Sequence, residues 1–275
     1  MKKNFLRFLT TLLIFLLFGC ETKNAPPHET TTSVPENTSP HDSAPLPLDE
    51  SATPPLITSK DDVQMVHVPA GVFKMGRNDG APAERPRMNV FLEGFYIDRF
   101  EISNERFAKF VSETSYNPMR NFKYKKEEAQ IPAQKLSWED VKAYCEWAGK
   151  RLPTEYEWEK AARGMDGRKF PWGDDEKKPS VLTLLHEYQD PTGQSPYGCL
   201  HMADNVWEWV EDWFLPYPLS DWADPRFGEI YKVIRGGLEN DSNNLSYSLT
   251  TTRRILKPSQ RIEFVGGRCA MDEIR

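Results

Sequence analysis

Three of the chain's eight tryptophans fall between Asp204 and Trp213, interleaved with Asp204, Glu208, Glu211 and Asp212. On a strand template Trp207, Trp209 and Trp213 share one side with Glu211, while Val206, Glu208, Val210 and Asp212 take the other. Rings of that size must be buried, whereas carboxylates must be solvated or given a partner. Taken alone, the stretch reads as a core strand whose acids point at water. The rest of the chain has to supply the layers that cover it.

Composition permits this. The 275 residues are 39% hydrophobic and 12% aromatic, enough for a substantial core. The formal net charge of -6 argues against nucleic acid as a partner, because phosphate contacts need a basic surface. Lys2, Lys3 and Arg7 precede an apolar run from Phe8 to Phe18 that stops at Gly19 and Cys20. The run is too short to span a bilayer and has the layout of an export signal. Three readings stay open on these residues alone: a lipoprotein signal spanning 1–19 with Cys20 as the acylated residue, a general secretory signal, or an uncleaved anchor. From Cys20 to residue 61 the chain is rich in Pro, Ser and Thr, with little to bury against its chain entropy, and reads as a disordered tether.

The folded domain is expected over 62–275. Gln64 to Met75 is strand-like with a break at Pro69-Ala70-Gly71, and Phe91 to Ile97 reads as a short aromatic strand bent at Gly94. Ser103, Ser137 and Thr154 are each placed to N-cap a helix, with Asp140 and Glu157 in the third position of the second and third. These helices would bury Phe107, Phe110 and Val111, then Val141, Tyr144, Cys145 and Ala148, and last Trp158, Ala161 and Ala162. Ile230 to Ile234, Ser248 to Arg254 and Phe264 to Ala270 are further strand candidates. Few short helices among short strands and long loops make an α+β domain.

Seven stretches in order carry a resemblance: Val66 to Gly76, Phe95 to Asn104, Ala148 to Gly164, Phe170 to Gly173, Asn205 to Trp209, Arg235 to Gly237 and Gly267 to Ala270. Together they resemble the sulfatase-modifying-factor family. The resemblance implies a C-type lectin-like fold, loop-rich, with short antiparallel strands. It also implies a chemistry, since the oxidising members hold copper(I) on a cysteine pair just beyond the Arg-Gly-Gly turn and convert a sulfatase cysteine to formylglycine. Soft thiolates suit copper(I), and oxygen ligands do not replace them. The matching positions here are Asp241 and Ser246, and no cysteine lies between Leu200 and Arg268. The resemblance therefore implies neither copper nor the oxidase activity.

The family also binds calcium around its Asn-Val-Trp-Glu-Trp segment, so Asp204, Asn205, the Val206 carbonyl and Glu208 are candidate calcium ligands here. His201 stands where a ligand oxygen is usual, and imidazole serves a hard cation poorly, so a metal-free turn is the alternative. Some exported members join the cysteines matching Cys145 and Cys269 by a disulfide; the other reading is two buried thiols. Cys199 reads as a small buried hydrophobe. The family's substrate groove places Trp207, Asp241, Ser246, Arg254 and Arg261 as candidate ligand-contacting residues, although each arginine could equally serve a structural ion pair. The expected protein is an exported lipoprotein, held on the membrane by its lipid at the outer membrane or cell surface. Its domain binds or scaffolds an envelope protein or glycan; a metal-dependent oxidase is the alternative.

Overall fold

Among the described residues burial begins at Asp61 and Val63, each 2% exposed. The structure, a computed structural model, describes residues 59–176, 193–237 and 245–273, all inside one compact unit, Ser51–Arg275. Cys20, the signal and the body of the tether lie outside the described residues, as does Asp241. No helix among the described residues is long and apolar enough to cross a membrane.

Strand β1 (Met65–Val68) and strand β2 (Gly71–Met75) are separated at Pro69 and Ala70, as expected, and the break sends them into different sheets. Strand β3 (Met88–Leu92) pairs antiparallel with β2, and strand β4 (Phe95–Asp98) pairs antiparallel with β1. The aromatic stretch Phe91 to Ile97 is therefore two strands with different partners, and the expectation of one strand bent at Gly94 is corrected. Helix α1 (Asn104–Thr114) starts at Ser103, whose hydroxyl accepts from Arg106 N–H. Helix α2 (Trp138–Trp147) and helix α3 (Glu155–Arg163) each open on a reciprocal capping box, Ser137 with Asp140 and Thr154 with Glu157. All three caps fall where the sequence places them.

The tryptophan stretch forms strand β5 (Trp207–Trp213) inside a four-stranded sheet. Strand β6 (Lys232–Gly236) lies antiparallel beside it, strand β7 (Arg254–Leu256) lies beyond β6, and strand β8 (Val265–Gly266) pairs parallel with β5 on its other edge. Strand β9 (Ala270–Asp272) returns to pair with β4. Ser248 to Arg254, expected as a strand, is instead a 3-10 turn at Leu245–Ser248 followed by a threonine run leading into β7. That run is held by loops and not by a strand ladder. Thr250 bonds Lys169, the Thr251 hydroxyl donates to Glu84, and the Thr252 hydroxyl donates to the Ser246 carbonyl.

Two apolar clusters explain why β5 carries large residues on both faces. Trp207 and Trp209 pack with residues of α1 and α2, including Phe107, Val141 and Tyr144. Val210 packs with Trp158, Ala161 and Ala162 of α3. A strand between two layers leaves no wet side over its first half, so Glu208 is fully buried and the expectation that its carboxylate faces water is corrected. Helix α3 is enclosed too: Glu155, Glu159, Lys160 and Arg163 are buried along with the expected Trp158, Ala161 and Ala162. Arg235 of β6 bridges Glu155 at 2.7 Å and Glu159 at 2.6 Å, and Lys160 donates to the carbonyls of Pro69 and Gly71.

Asp212, near the end of β5, accepts from the first N–H of α3 at Glu155. Such an anion at a helix N-terminus is ordinarily favoured. Burial, together with the neighbouring Glu155 charge, overrides this and pushes the Asp212 carboxyl up to about 6. A carboxyl raised in the folded state binds more protons than in the unfolded chain, so this group's contribution to stability falls as pH rises from about 4 to about 6. Asp212→Asn is expected to flatten that part of the stability profile. An unchanged slope in urea titrations across this window would reject the assignment.

Candidate functional site

The turn preceding β5 is built on two residues with left-handed backbone, His201 (φ 60°) and Asn205 (φ 56°). Asparagine tolerates that conformation well, and histidine is among the side chains that adopt it. His201 Nδ1 lies 2.9 Å from Asp204 Oδ1, and its Nε2, buried, has no hydrogen-bond partner among the described residues. Burial disfavours the imidazolium. The Asp204 hydrogen bond and the nearby Glu101 charge outweigh that, so His201 titrates above its ordinary value.

Glu101 is 3% exposed and receives Asn205 Nδ2 at 3.0 Å and Val206 N–H at 3.3 Å. Burial pushes its carboxyl up to about 8, against the opposing pull of His201 and Arg268. Glu208 receives the Arg268 guanidinium on both oxygens, each at 2.7 Å, and Trp158 Nε1 also at 2.7 Å. Arg268 completes its set with the carbonyls of Leu200 at 2.8 Å and of Asp98 and Arg99, each at 3.1 Å. Every N–H of this guanidinium is matched.

These contacts bear on calcium. Glu208 already holds a cation, Asp204 Oδ1 is taken by His201, and the Asn205 amide donates to Glu101. Among the described residues no group of three or more His, Cys, Asp or Glu side chains is arranged to hold a metal ion. A hard dication needs several free oxygens, and the residues present fit it poorly.

The thiols bear on copper. Cys145 and Cys269 are joined in a disulfide, and Cys199 is free but fully buried. Burial pushes the Cys199 thiol up to about 11, away from the thiolate that binds soft metals.

The candidate groove residues are only partly brought together. Trp207 is 4% exposed and lies beneath the surface. One side of its ring is covered by Gly237, whose φ is +85° and whose place leaves no room for a side chain, since an added Cβ would fall 2.5 Å from the indole. Around it, the exposed Arg254 has its guanidinium 5.3 Å from the rings of both Trp207 and Tyr247. Ser246 is exposed next to Tyr247. Arg261 is committed elsewhere, gripping Asp140 through two hydrogen bonds of 2.7 and 2.8 Å at the start of α2. Arg253 grips Glu155 in the same manner. The structural role considered for these arginines is the one found for Arg253, Arg261 and Arg268. Sequence reasoning missed Glu101, Glu155 and Arg235; their signal was a charge set inside an otherwise apolar or tightly turned stretch.

A model of the sulfatase-modifying factor enzyme 1-like domain matches residues 53–273. Among curated relatives, the formylglycine-generating enzyme of Thermomonospora curvata is 30% identical, over 76% of this chain and 94% of its own length. The mouse formylglycine-generating enzyme is 28% identical, over 77% and 76%. A mouse protein described as inactive C-alpha-formylglycine-generating enzyme 2 is 29% identical, over 76% and 86%. Among solved structures, PvdO from Pseudomonas aeruginosa matches with a TM-score of 0.60 at 26% identity, covering 78% of this chain and 96% of its own. Variable protein 1 of Treponema denticola matches with a TM-score of 0.57 at 20% identity, over 77% and 95%, a likeness of fold alone. The architecture is the α+β, C-type lectin-like one expected from the sequence.

Proposed function

The chain belongs to the sulfatase-modifying-factor family, and from that premise we propose that it is an exported, membrane-anchored lipoprotein whose domain binds or scaffolds and does not oxidise. The observation that carries the reading is the fate of the thiols. Cys145 and Cys269 are spent on each other, Cys199 is buried, and the positions of the copper pair are Asp241 and Ser246. Copper(I) activation of dioxygen has no soft ligand pair to start from. A relative described as inactive shows that the scaffold also occurs without the activity.

The anchor is acylated Cys20, directly after the short apolar run, with residues 20–61 as spacer. The partner is an envelope protein or glycan, met by the surface where Arg254 and Tyr247 lie over Trp207 beside Ser246. Aromatic rings with a guanidinium can stack on a sugar face or clamp a carboxylate. The turn at Asn205 works without calcium, the Arg268 guanidinium supplying the positive charge to Glu208.

One set of measurements tests this. The protein is expected to leave a sulfatase-motif peptide unconverted in the presence of copper(I) and oxygen, and to show no shift in melting temperature on addition of copper(I) or calcium. Conversion of the peptide cysteine at an appreciable rate would return the oxidase reading. A calcium-dependent rise in melting temperature would restore the metal at the Asn205 turn.

A further inference from the structure

Asp61, the first of the described residues to be buried, is packed against a lysine and a second acid that the function above does not use. Lys150, just after α2, places its Nζ 2.8 and 3.0 Å from the two oxygens of Asp61 and 2.7 Å from Asp98 Oδ1. The side chains of Lys150, Asp61 and Asp98 are 0%, 0% and 1% exposed. Tyr144 donates to Asp61 Oδ2 at 2.8 Å, the Ser59 hydroxyl donates to Asp61 Oδ1, and the Cys269 N–H donates to Asp98 Oδ2 at 3.0 Å. The cluster is closed to bulk solvent, and each acid is oriented by its own donors.

We propose that Lys150 and Asp61 are the partners of an intramolecular amide cross-link, with Asp98 as the proton-transfer group. One ammonium faces two buried carboxylates, an arrangement that favours a proton on one of them. Burial favours Asp98 for that part, while Lys150 holds Asp61 down against its own burial. Asp61 presents both oxygens to Nζ, which brings its carboxyl carbon close to the amine. Asp98 meets the same nitrogen through one oxygen, the geometry of a proton carrier.

In the reaction Lys150 passes a proton to Asp61 and becomes a free amine. Nζ then attacks Cγ of Asp61, with Asp98 giving a proton to the carboxyl oxygen and recovering one from nitrogen. The Nζ–Cγ bond forms and one Cγ–O bond breaks. The two protons that nitrogen loses leave with that oxygen as water, Asp98 ends as it began, and nothing is oxidised or reduced. Two physical terms favour it. Fixed contact between amine and acid replaces a bimolecular encounter by an intramolecular one. Condensation also removes a charge pair whose burial carries a desolvation penalty.

The link would tie the domain's entry point to the end of α2, next to the Cys145–Cys269 disulfide. Force arriving along the chain from an anchor at the amino end would then stop at Asp61 without peeling β1 away from β4. The inference stands whether or not the domain binds or oxidises.

The test is peptide mapping by mass spectrometry on the full chain, reduced and digested after purification in the folded state. The expected result is a branched peptide joining the segments of Asp61 and Lys150, one water lighter than their sum. In Asp98→Asn the two segments are expected to come apart, with the disulfide still formed. Linear peptides alone from the folded wild-type chain would overturn the proposal and leave an ion pair. So would a water loss confined to the Asp61 peptide, the mark of a local imide.

Discussion

Replacing Arg268 by alanine is expected to cost about 3–5 kcal/mol of folding stability, the range found when one member of a buried ion pair is removed. The cost does not come from the Glu208–Arg268 pair being a strong attraction in itself, since two desolvated charges gain little over an apolar pair of the same shape. It comes from what is left behind. Among the described residues Glu208 would keep only Trp158 Nε1 as a side-chain donor inside a fully buried site, and the carbonyls of Leu200, Asp98 and Arg99 would each lose a partner. These groups belong to the end of β4, the turn before β5 and β5 itself, so one guanidinium fastens three segments. Arg268→Lys should recover a minor part only, because an ammonium has fewer donors and cannot present the planar fork that meets both oxygens of Glu208. Urea unfolding followed by tryptophan fluorescence measures both variants. A loss below about 1 kcal/mol for the alanine variant would mean that the site relaxes and finds other donors.

The double variant Cys145→Ala with Cys269→Ala is expected to lose a comparable amount. The two cysteines are 124 residues apart in sequence, and closing a loop of that length contributes about 5 kcal/mol in the chain-entropy model. Both sulfurs are fully buried, so alanine leaves no unsatisfied polar group. Unfolding of the wild-type chain with and without a strong reductant gives a second reading of the same quantity. Agreement between the reduced wild type and the double variant would assign the loss to the covalent link. A small loss in both would show that the unfolded chain is already restricted by residual structure.

Much of this architecture is legible in the chain because the signals that carry it are local. Ser103, Ser137 and Thr154 cap their helices through N–H groups within a turn, and the gap at Pro69 and Ala70 breaks a strand whatever surrounds it. The tryptophan stretch reads as a strand because its side chains alternate with a period of two residues. The family motifs extend this to the whole domain and place Asp241 and Ser246 at the positions matching the copper pair.

The partners of the charges are a different matter. Glu208 pairs with a residue 60 positions on, Glu155 with one 80 positions on, and Lys150 with one 89 positions back. Local pattern holds no record of such separations, and a carboxylate in a strand looks the same whether its far side meets water or another layer. Only the tertiary structure decided that β5 lies between two apolar clusters, which denies Glu208 its water and makes Arg268 its partner. The same packing set Arg261 on Asp140 and left Arg254 over Trp207. Capping, strand period and ligand type are properties of neighbouring residues and were determined by the sequence. Burial of a charge depends on what the rest of the chain brings over it, and that was decided by the fold.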